Sequence, residues 1–413
     1  MMIFKTLFLG IALFLGLPFN QISSDKSINA DDNKFLLGNE NLLINYTGLV
    51  EYKRSALITN KSGVMSDGSF FLDELIKKSD VKKIFTPEHG LRGDDRDENF
   101  TDERTGLQVV SLYGNNKKPA QSDLEDVDVL VYDIQDVGAR FYTFINTMFY
   151  CMEAATELGK DFIVCDRPLM PYGNYTDGYM LDESQDSFVG MIDIPIAYGM
   201  TCGELAAYIN SEYFNKTCKL RVIEMQNYNR EMDYESLNLP WVKPSPNIYF
   251  PSSALSYLGT CLFEGTNFSE GRGTNKPFEY VGAPYCDGDA LADEMNSLEL
   301  KGVTFESINF IPTTITSPSN PPKFVGENCS GVYFKVTDKK TFEPVKTGIS
   351  LLVSLQKLFT DFEIKNNKFL DKLSGTDRLR IAVQRGDSAT EIIAGYQQEL
   401  DNFNAVRKNF LLY

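Results

Sequence analysis

Glu88, His89 and Arg92 bring a carboxyl, an imidazole and a guanidinium together in the string FTPEHGLRGD, Phe85–Asp94. A positioned carboxyl or imidazole can deliver or accept a proton, and a guanidinium can grip a planar anion through two parallel hydrogen bonds. His89 is the only histidine in 413 residues, so any imidazole chemistry must run through this point. The run Val81–Phe85, apolar but for Lys82 and Lys83, reads as a buried strand leading into the string. Pro87 ends it, because proline has no N–H for a sheet ladder, and Gly90 and Gly93 permit sharp turns. The three groups are thus delivered on a tight loop at the C-terminal end of a strand, where open α/β sheets place their ligands. The competing reading is a solvated strand-to-helix turn.

Other stretches offer similar groups. In VLVYDIQDVGARFYT, Val129–Thr143, a strand ends in Asp133, and Gln135, Asp136, Arg140 and Tyr142 follow around Gly138. Two carboxylates, a guanidinium and a phenol at a strand end describe a polar pocket. Asp136 and Arg140, four apart, could equally pair on a helix surface. Cys165-Asp166-Arg167-Pro168 again follows a strand, and Asp166 and Arg167 either orient a ligand or cap a turn. FEGTNFSEGRGT supplies Glu264, Glu270 and Arg272. Glycines on both sides of Arg272 let the backbone approach a ligand, or serve a structural loop. The acidic run DDRDENFTDE, Asp94–Glu103, has Phe100 where a calcium loop counted from Asp95 needs glycine, and it reads as a solvated loop. One histidine and no C-x-x-C pair leave out the common zinc ligand sets, so neither metal nor cofactor is expected. No G-x-S-x-G elbow is present to suggest a serine hydrolase.

The elements that must hold these groups are short apolar runs: Ala56–Thr59, Val81–Phe85, Val109–Leu112, Val127–Tyr132, Phe162–Cys165 and Ile192–Ala197. Between several of them lie helical patterns at Phe70–Lys78, Thr147–Leu158 and Cys202–Tyr213, the last with Thr201 as N-cap. Continuous apolar strands alternating with amphipathic helices predict an α/β, Rossmann-like doubly wound parallel sheet over residues 42–235. The dinucleotide fingerprint and the P-loop are both absent, which argues against an NAD enzyme. From Trp241 the texture changes to loops dense in Pro, Gly, Asn and aromatics. A strand at Gly331–Val336 and helices at Thr347–Phe359 and Thr390–Asn409 follow, giving a smaller C-terminal α/β domain over 236–413.

Forty Lys and Arg against 57 Asp and Glu give a net charge of -17. That balance argues against nucleic acid, which needs a basic surface, and against anionic membranes. Lys5 and the apolar run Leu7–Phe19 read as a Sec-type signal peptide, residues 1–24, followed by a polar linker, 25–41. An exported protein, periplasmic or secreted, is expected, with an uncleaved anchor as the alternative. The seven cysteines read as small buried hydrophobes, although Cys202 and Cys218 could pair.

The strings FTPEHGLRG, TGLQVVSLYG, VDVLVYDIQDVGARFYTFINTM, DRP, SFVGMIDIPIAYGMTCGELA, PSPN, FEGTNFSEGRGTNKPFEYVGAP and VRKNFLLY occur in order over about 45–413. Together they resemble the exo-β-N-acetylmuramidase (NamZ-type) glycoside hydrolases. The resemblance implies an active-site cleft between the two domains. It further implies release of N-acetylmuramic acid from the non-reducing end of peptidoglycan fragments. Muropeptides or disaccharides would be the partners. Glu88 falls on the family's catalytic glutamate and His89 on the neighbouring motif position. Tyr198 stands where the family usually has histidine before GMT, so any hydrogen bond from that position must come from its hydroxyl. LMPYGNYTDG follows DRP where NP-x-G is usual.

Glycoside cleavage needs a proton for the leaving oxygen and stabilisation of an oxocarbenium-like centre. Glu88 would be the acid, with Asp133 and Asp136 crowding it. Asp136 or Glu270 would be base or nucleophile, unless the substrate's acetamido oxygen attacks. Arg92, Arg140, Arg167 or Arg272 would clamp the lactyl carboxylate. Gln135, Tyr142, Asp166, Tyr198 and Asn247 complete the expected substrate contacts. An inactive cell-wall-sugar-binding protein and a hydrolase of N-acetylglucosaminides are the competing readings.

Overall fold

The structure is a computed structural model that describes residues 34–93, 96, 98–170, 173–313 and 321–413. The expected signal peptide lies outside the described residues, as do most of the expected linker and Asp94, Asp95 and Asp97 of the acidic run. The linker's last residues are part of the fold. Leu36 bridges Gln226, and a helix starts at Gly38 with Leu37 and Leu42 buried beneath it.

Seven strands form the first sheet: β1 (Arg54–Thr59), β2 (Asp80–Thr86), β3 (Phe100–Thr101), β4 (Gln108–Ser111), β5 (Val129–Asp133), β6 (Asp161–Cys165) and β7 (Lys219–Ile223). Their order is β3-β4-β2-β1-β5-β6-β7, and all pairs are parallel except β3 with β4. With the two-residue β3 set aside, this is the doubly wound 3-2-1-4-5-6 order, which reverses between β1 and β5. The central strands are apolar on both faces because helices cover both: every residue of β5 is buried. Helix Phe144–Glu157 follows β5. Helix Cys202–Glu212 precedes β7 and starts in a capping box, in which Thr201 accepts from the Glu204 N–H and Glu204 accepts from the Thr201 N–H.

The run Ile192–Ala197, expected as a strand, is irregular. Its backbone is satisfied without a sheet: Arg140 donates from Nη1 to the Ile194 carbonyl at 2.8 Å and from its backbone N–H to the Ile196 carbonyl, and Ala197 bridges Ala139 and Asp177. The strand that fills the sheet edge is β7, whose sequence KLRVI is charged enough to read as surface.

The C-terminal half holds a three-stranded antiparallel sheet in the order β8-β10-β9, from β8 (Tyr280–Ala283), β9 (Val303–Phe310) and β10 (Cys329–Val336). Helix Pro344–Leu358 packs on helix Pro251–Thr260. The segment expected as one helix over 390–409 is two, Ala389–Ala394 and Gln397–Arg407, separated at Gly395 and Tyr396. The two halves interlock. Tyr413 Oη donates to Asp166 at 2.9 Å, Tyr396 Oη to Asp177 at 2.8 Å, and Arg407 grips the Gly199 carbonyl. All seven cysteines are buried and free, so Cys202 and Cys218 do not pair. Among the described residues no helix is long and apolar enough to cross a membrane.

Candidate active site

The loop after β2 carries Glu88 and His89. His89 has φ 76° and Gly90 φ 67°, two successive left-handed residues that turn the chain sharply. A non-glycine residue in that region costs free energy and persists only where the surroundings fix it, often at a functional site. Glu88 is half-buried. Thr143 Oγ1 donates to its Oε2 at 2.8 Å, while Oε1 has no partner among the described residues. Thr143 is also the residue from which helix Phe144–Glu157 starts, so the loop after β5 fixes the carboxyl that the loop after β2 presents.

Glu88 and His89 open onto a cleft of about 730 Å³ between the two halves of the chain. The sheet side adds Tyr113, Lys117 and Phe141–Phe144; the other side adds Ser245, Asn247, Tyr257, Glu264, Glu270 and Arg272. The aromatic rings brace one another. Tyr257 meets Phe141, Tyr142 and Phe278 edge-on at 5.2, 5.8 and 4.7 Å, and Tyr142 meets Phe144 at 4.6 Å. Such a wall is rigid and presents flat apolar faces, as a sugar ring requires. Burial pushes the Tyr142 phenol well above its usual range, helped by the charges of Asp136 and Glu88, so it stays neutral.

Opposite Glu88's wall lies a chain of charges. Arg272 Nη2 bonds Glu264 at 2.6 Å and its Nε lies 3.3 Å from Glu270. Lys323 Nζ donates to Glu270 Oε2 and to the carbonyls of Phe263 and Phe268, each at 2.8 Å. Burial opposes the Glu270 charge, but Lys323 and Arg272 outweigh it and hold its carboxyl below the usual range. Burial likewise opposes the Arg272 charge, and Glu264 and Glu270 outweigh it. The glycines flanking Arg272 take φ 76° and 79° and are pressed against protein: a Cβ on Gly273 would lie 2.5 Å from the Thr313 carbonyl. They shape the loop and are not an approach route for ligand.

Of the residues expected at the site, Glu88, His89, Tyr142, Asn247, Glu270 and Arg272 share this cleft, and the others do not. Asp133 and Arg167 form a buried ion pair, Nε–Oδ1 2.7 Å and Nη2–Oδ2 2.9 Å, both essentially without exposure. Asp133 therefore does not crowd Glu88. Arg140 is also fully buried and donates to three carbonyls, of Tyr179, Ile194 and Leu373; it ties the fold and holds no substrate. Burial pulls its guanidinium down to about 9. Asp166 accepts from Thr201 Oγ1, Tyr413 Oη and the N–H groups of Arg167 and Gly203, and burial followed by the Glu204 charge pushes it up to about 7.

Gln135 bonds the Asp136 and Pro168 carbonyls and accepts from Tyr234 Oη. Arg92 pairs with Asp102 at 3.1 Å over a separate groove. Tyr198, 1% exposed, donates to Asp136 and so does not offer its hydroxyl to a substrate. Asp136 sits behind the cleft wall, with Oδ2 also accepting from the Gly138 N–H, and burial pushes it up to about 6. It is not placed to act as base or nucleophile. Thr143, Lys117, Tyr113 and Lys323 are cleft residues that sequence reasoning passed over. Only Thr143 had a signal, its place at the end of the Val129–Thr143 string.

Residues 55–252 match the exo-β-N-acetylmuramidase NamZ N-terminal family model, and 255–413 match the NamZ C-terminal model. The chain is 42% identical over 420 residues to the peptidoglycan β-N-acetylmuramidase NamZ of Bacillus subtilis (strain 168), covering 99% of this chain and all of that one. Crystal structures of two DUF1343 family proteins from Bacteroides fragilis NCTC 9343 superpose with TM-scores of 0.85 and 0.74. They are 31% and 32% identical and each comparison covers 92% of this chain and 99% of theirs. The chain is a glycoside hydrolase and belongs to the exo-β-N-acetylmuramidase NamZ family.

Proposed function

We propose that the protein removes N-acetylmuramic acid from the non-reducing end of peptidoglycan fragments, with Glu88 as the general acid. The observation that carries the assignment is the state of Glu88: one oxygen held by Thr143, the other without a partner among the described residues, in an aromatic-walled cleft. That oxygen can pass its proton to the glycosidic oxygen as the bond to the anomeric carbon lengthens. The cleft volume is in the range of pockets, about 300–1,000 Å³, that enclose one small ligand. That size suits the terminal sugar of a strand better than its middle.

The other two cleft carboxylates are engaged. Glu264 and Glu270 share Arg272, and Glu270 also holds Lys323. A carboxylate whose lone pairs are spent on cations is a poor nucleophile. The substrate's own acetamido oxygen accordingly attacks the anomeric carbon as the bond to the leaving oxygen breaks, one of the departures from the two-carboxylate scheme. The relative from Bacillus subtilis acts on peptidoglycan by name, which supports the substrate class. Lys5 and the apolar run Leu7–Phe19 support export to where such fragments arise, and a role in cell-wall turnover.

The test is to incubate the protein with a β-linked N-acetylmuramyl-N-acetylglucosamine disaccharide and with the reversed disaccharide. Free N-acetylmuramic acid should appear from the first only. Cleavage of the reversed disaccharide alone would move the assignment to N-acetylglucosaminides.

A further inference from the structure

N-acetylmuramic acid differs from N-acetylglucosamine by one lactyl ether, which carries a methyl group and a carboxylate. A cleft that tells the two apart needs a cation that is not already spent. Of the cationic side chains lining the cleft, Arg272 and Lys323 are tied to Glu264 and Glu270, two charges against two. The arginines that the sequence offered are also spent: Arg167 on Asp133, Arg140 on three carbonyls, Arg92 on Asp102.

Lys117 is different. It lines the cleft, it is half-buried, and among the described residues no carboxylate lies within ion-pair reach of its Nζ. Its ammonium sits 4.5 Å from the centre of the Phe188 ring, which in turn lies 6.0 Å from Tyr113. The next residue shows what a structural lysine looks like here: Lys118 is bonded by Glu153 at 2.9 Å and Glu157 at 2.7 Å. In a chain of net charge -17, a cleft lysine with no acid beside it among the described residues has its charge available for an anion. A cation over a ring is already positioned, so less side-chain freedom is lost when the anion arrives.

We propose that Lys117 binds the lactyl carboxylate of the muramyl residue, with Phe188 and Tyr113 as the apolar seat for the lactyl methyl, and so sets the preference for muramic acid over glucosamine. The proposal rests on the muramidase reading above, and its test separates the two. Kinetic constants are measured on 4-nitrophenyl N-acetylmuraminide, on its lactyl methyl ester and on the N-acetylglucosaminide, for wild type, Lys117→Met, Lys117→Arg and Lys118→Met. A hydrogen bond between charged groups contributes about 1.5–3 kcal/mol, so wild type should favour the acid over the ester by roughly 10- to 100-fold in kcat/KM.

Lys117→Met should raise KM for the acid by at least about tenfold, change kcat less than about threefold, and bring the acid-to-ester ratio near one. Lys117→Arg should restore most of the ratio, and Lys118→Met should keep it. A Lys117→Met enzyme that retains the wild-type ratio overturns the proposal while leaving the muramidase reading intact. Wild type that cleaves only the glucosaminide overturns the reading itself, and the role of Lys117 with it. Should Lys117→Met fold poorly, the wild-type enzyme still decides: added salt should raise KM for the acid and not for the ester, and equal effects on both would contradict the proposal.

Discussion

Two strand-end regions of the same sheet carry nearly the same side chains and do opposite things. At the ends of β1 and β5, where the strand order reverses and doubly wound sheets usually bind ligands, the crevice is closed. Asp133 and Arg167 spend their charges on each other, Asn39 Nδ2 adds a bond to Asp133 at 3.1 Å, and Thr59 Oγ1 takes the Asp133 carbonyl at 2.9 Å. At the ends of β2 and β4, and in the loop after β5, a cleft opens in which, among the described residues, a carboxyl keeps one oxygen unpartnered and a lysine meets no carboxylate. Residue types do not separate a site from a support. Unspent hydrogen-bonding and charge capacity does.

Glu88→Gln should show the largest effect on the open side. General acid catalysis contributes about 10²–10⁴-fold, so kcat should fall by roughly that factor with thermal stability unchanged. On the closed side, Arg167→Met strands a buried carboxylate, which costs about 3–5 kcal/mol. Urea unfolding should register that loss, while KM of the remaining folded enzyme stays near the wild-type value. An Arg167→Met protein that is stable but binds substrate poorly would erase the distinction between the two regions.

Asp136, behind the cleft wall, gives a pH test. Its carboxyl is raised from 3.8 to about 6 in the folded protein, so the folded state binds the proton more tightly than the unfolded chain. Its stabilisation is complete below about pH 4 and is lost as pH rises through 6. At about 1.4 kcal/mol per pKa unit the loss is on the order of 3 kcal/mol. Asp166, raised to about 7 by burial and Glu204, extends the same trend. The stability difference between wild type and Asp136→Asn, from urea unfolding at pH 4–8, should therefore change across pH 4–6; a constant difference would contradict the burial argument. The smallest effect belongs to Thr143→Val, which removes one hydrogen bond to Glu88: about tenfold in kcat, with little change in KM. A loss in KM alone would mean that Thr143 binds substrate and does not orient the acid.

The sheet was legible because its central strands are short, mainly apolar runs bounded by turn residues, as VLVY before Asp133 in β5 illustrates. β7, KLRVI, carries two charges, as VKKIF in β2 does, but it lacks the proline and glycines that mark where β2 ends. Ile192–Ala197 misled because an apolar run says that a segment is buried, not that it pairs. The loop that carries Glu88 and His89 was visible as strand, proline, acid, histidine and glycine. Which charged residues face the cleft was not visible, since a carboxylate after a strand reads the same whether an arginine or a substrate will meet it. Arg140, Asp166 and Arg167 read as partners of a ligand for that reason. Lys117 escaped notice in GNNKKPA, where two adjacent lysines look like solvated turn residues, although one is bonded by two glutamates and the other faces the cleft.

The central claim, that Glu88 protonates the leaving oxygen, is tested most directly by varying the leaving group. Wild type and Glu88→Gln are compared on the muramyl disaccharide, whose sugar alcohol needs a proton to leave, and on 2,4-dinitrophenyl N-acetylmuraminide, whose phenolate does not. The account predicts a loss on the order of 10³-fold on the disaccharide and less than about tenfold on the activated glycoside. Equal losses on both substrates, or near wild-type rates on the disaccharide, would contradict it.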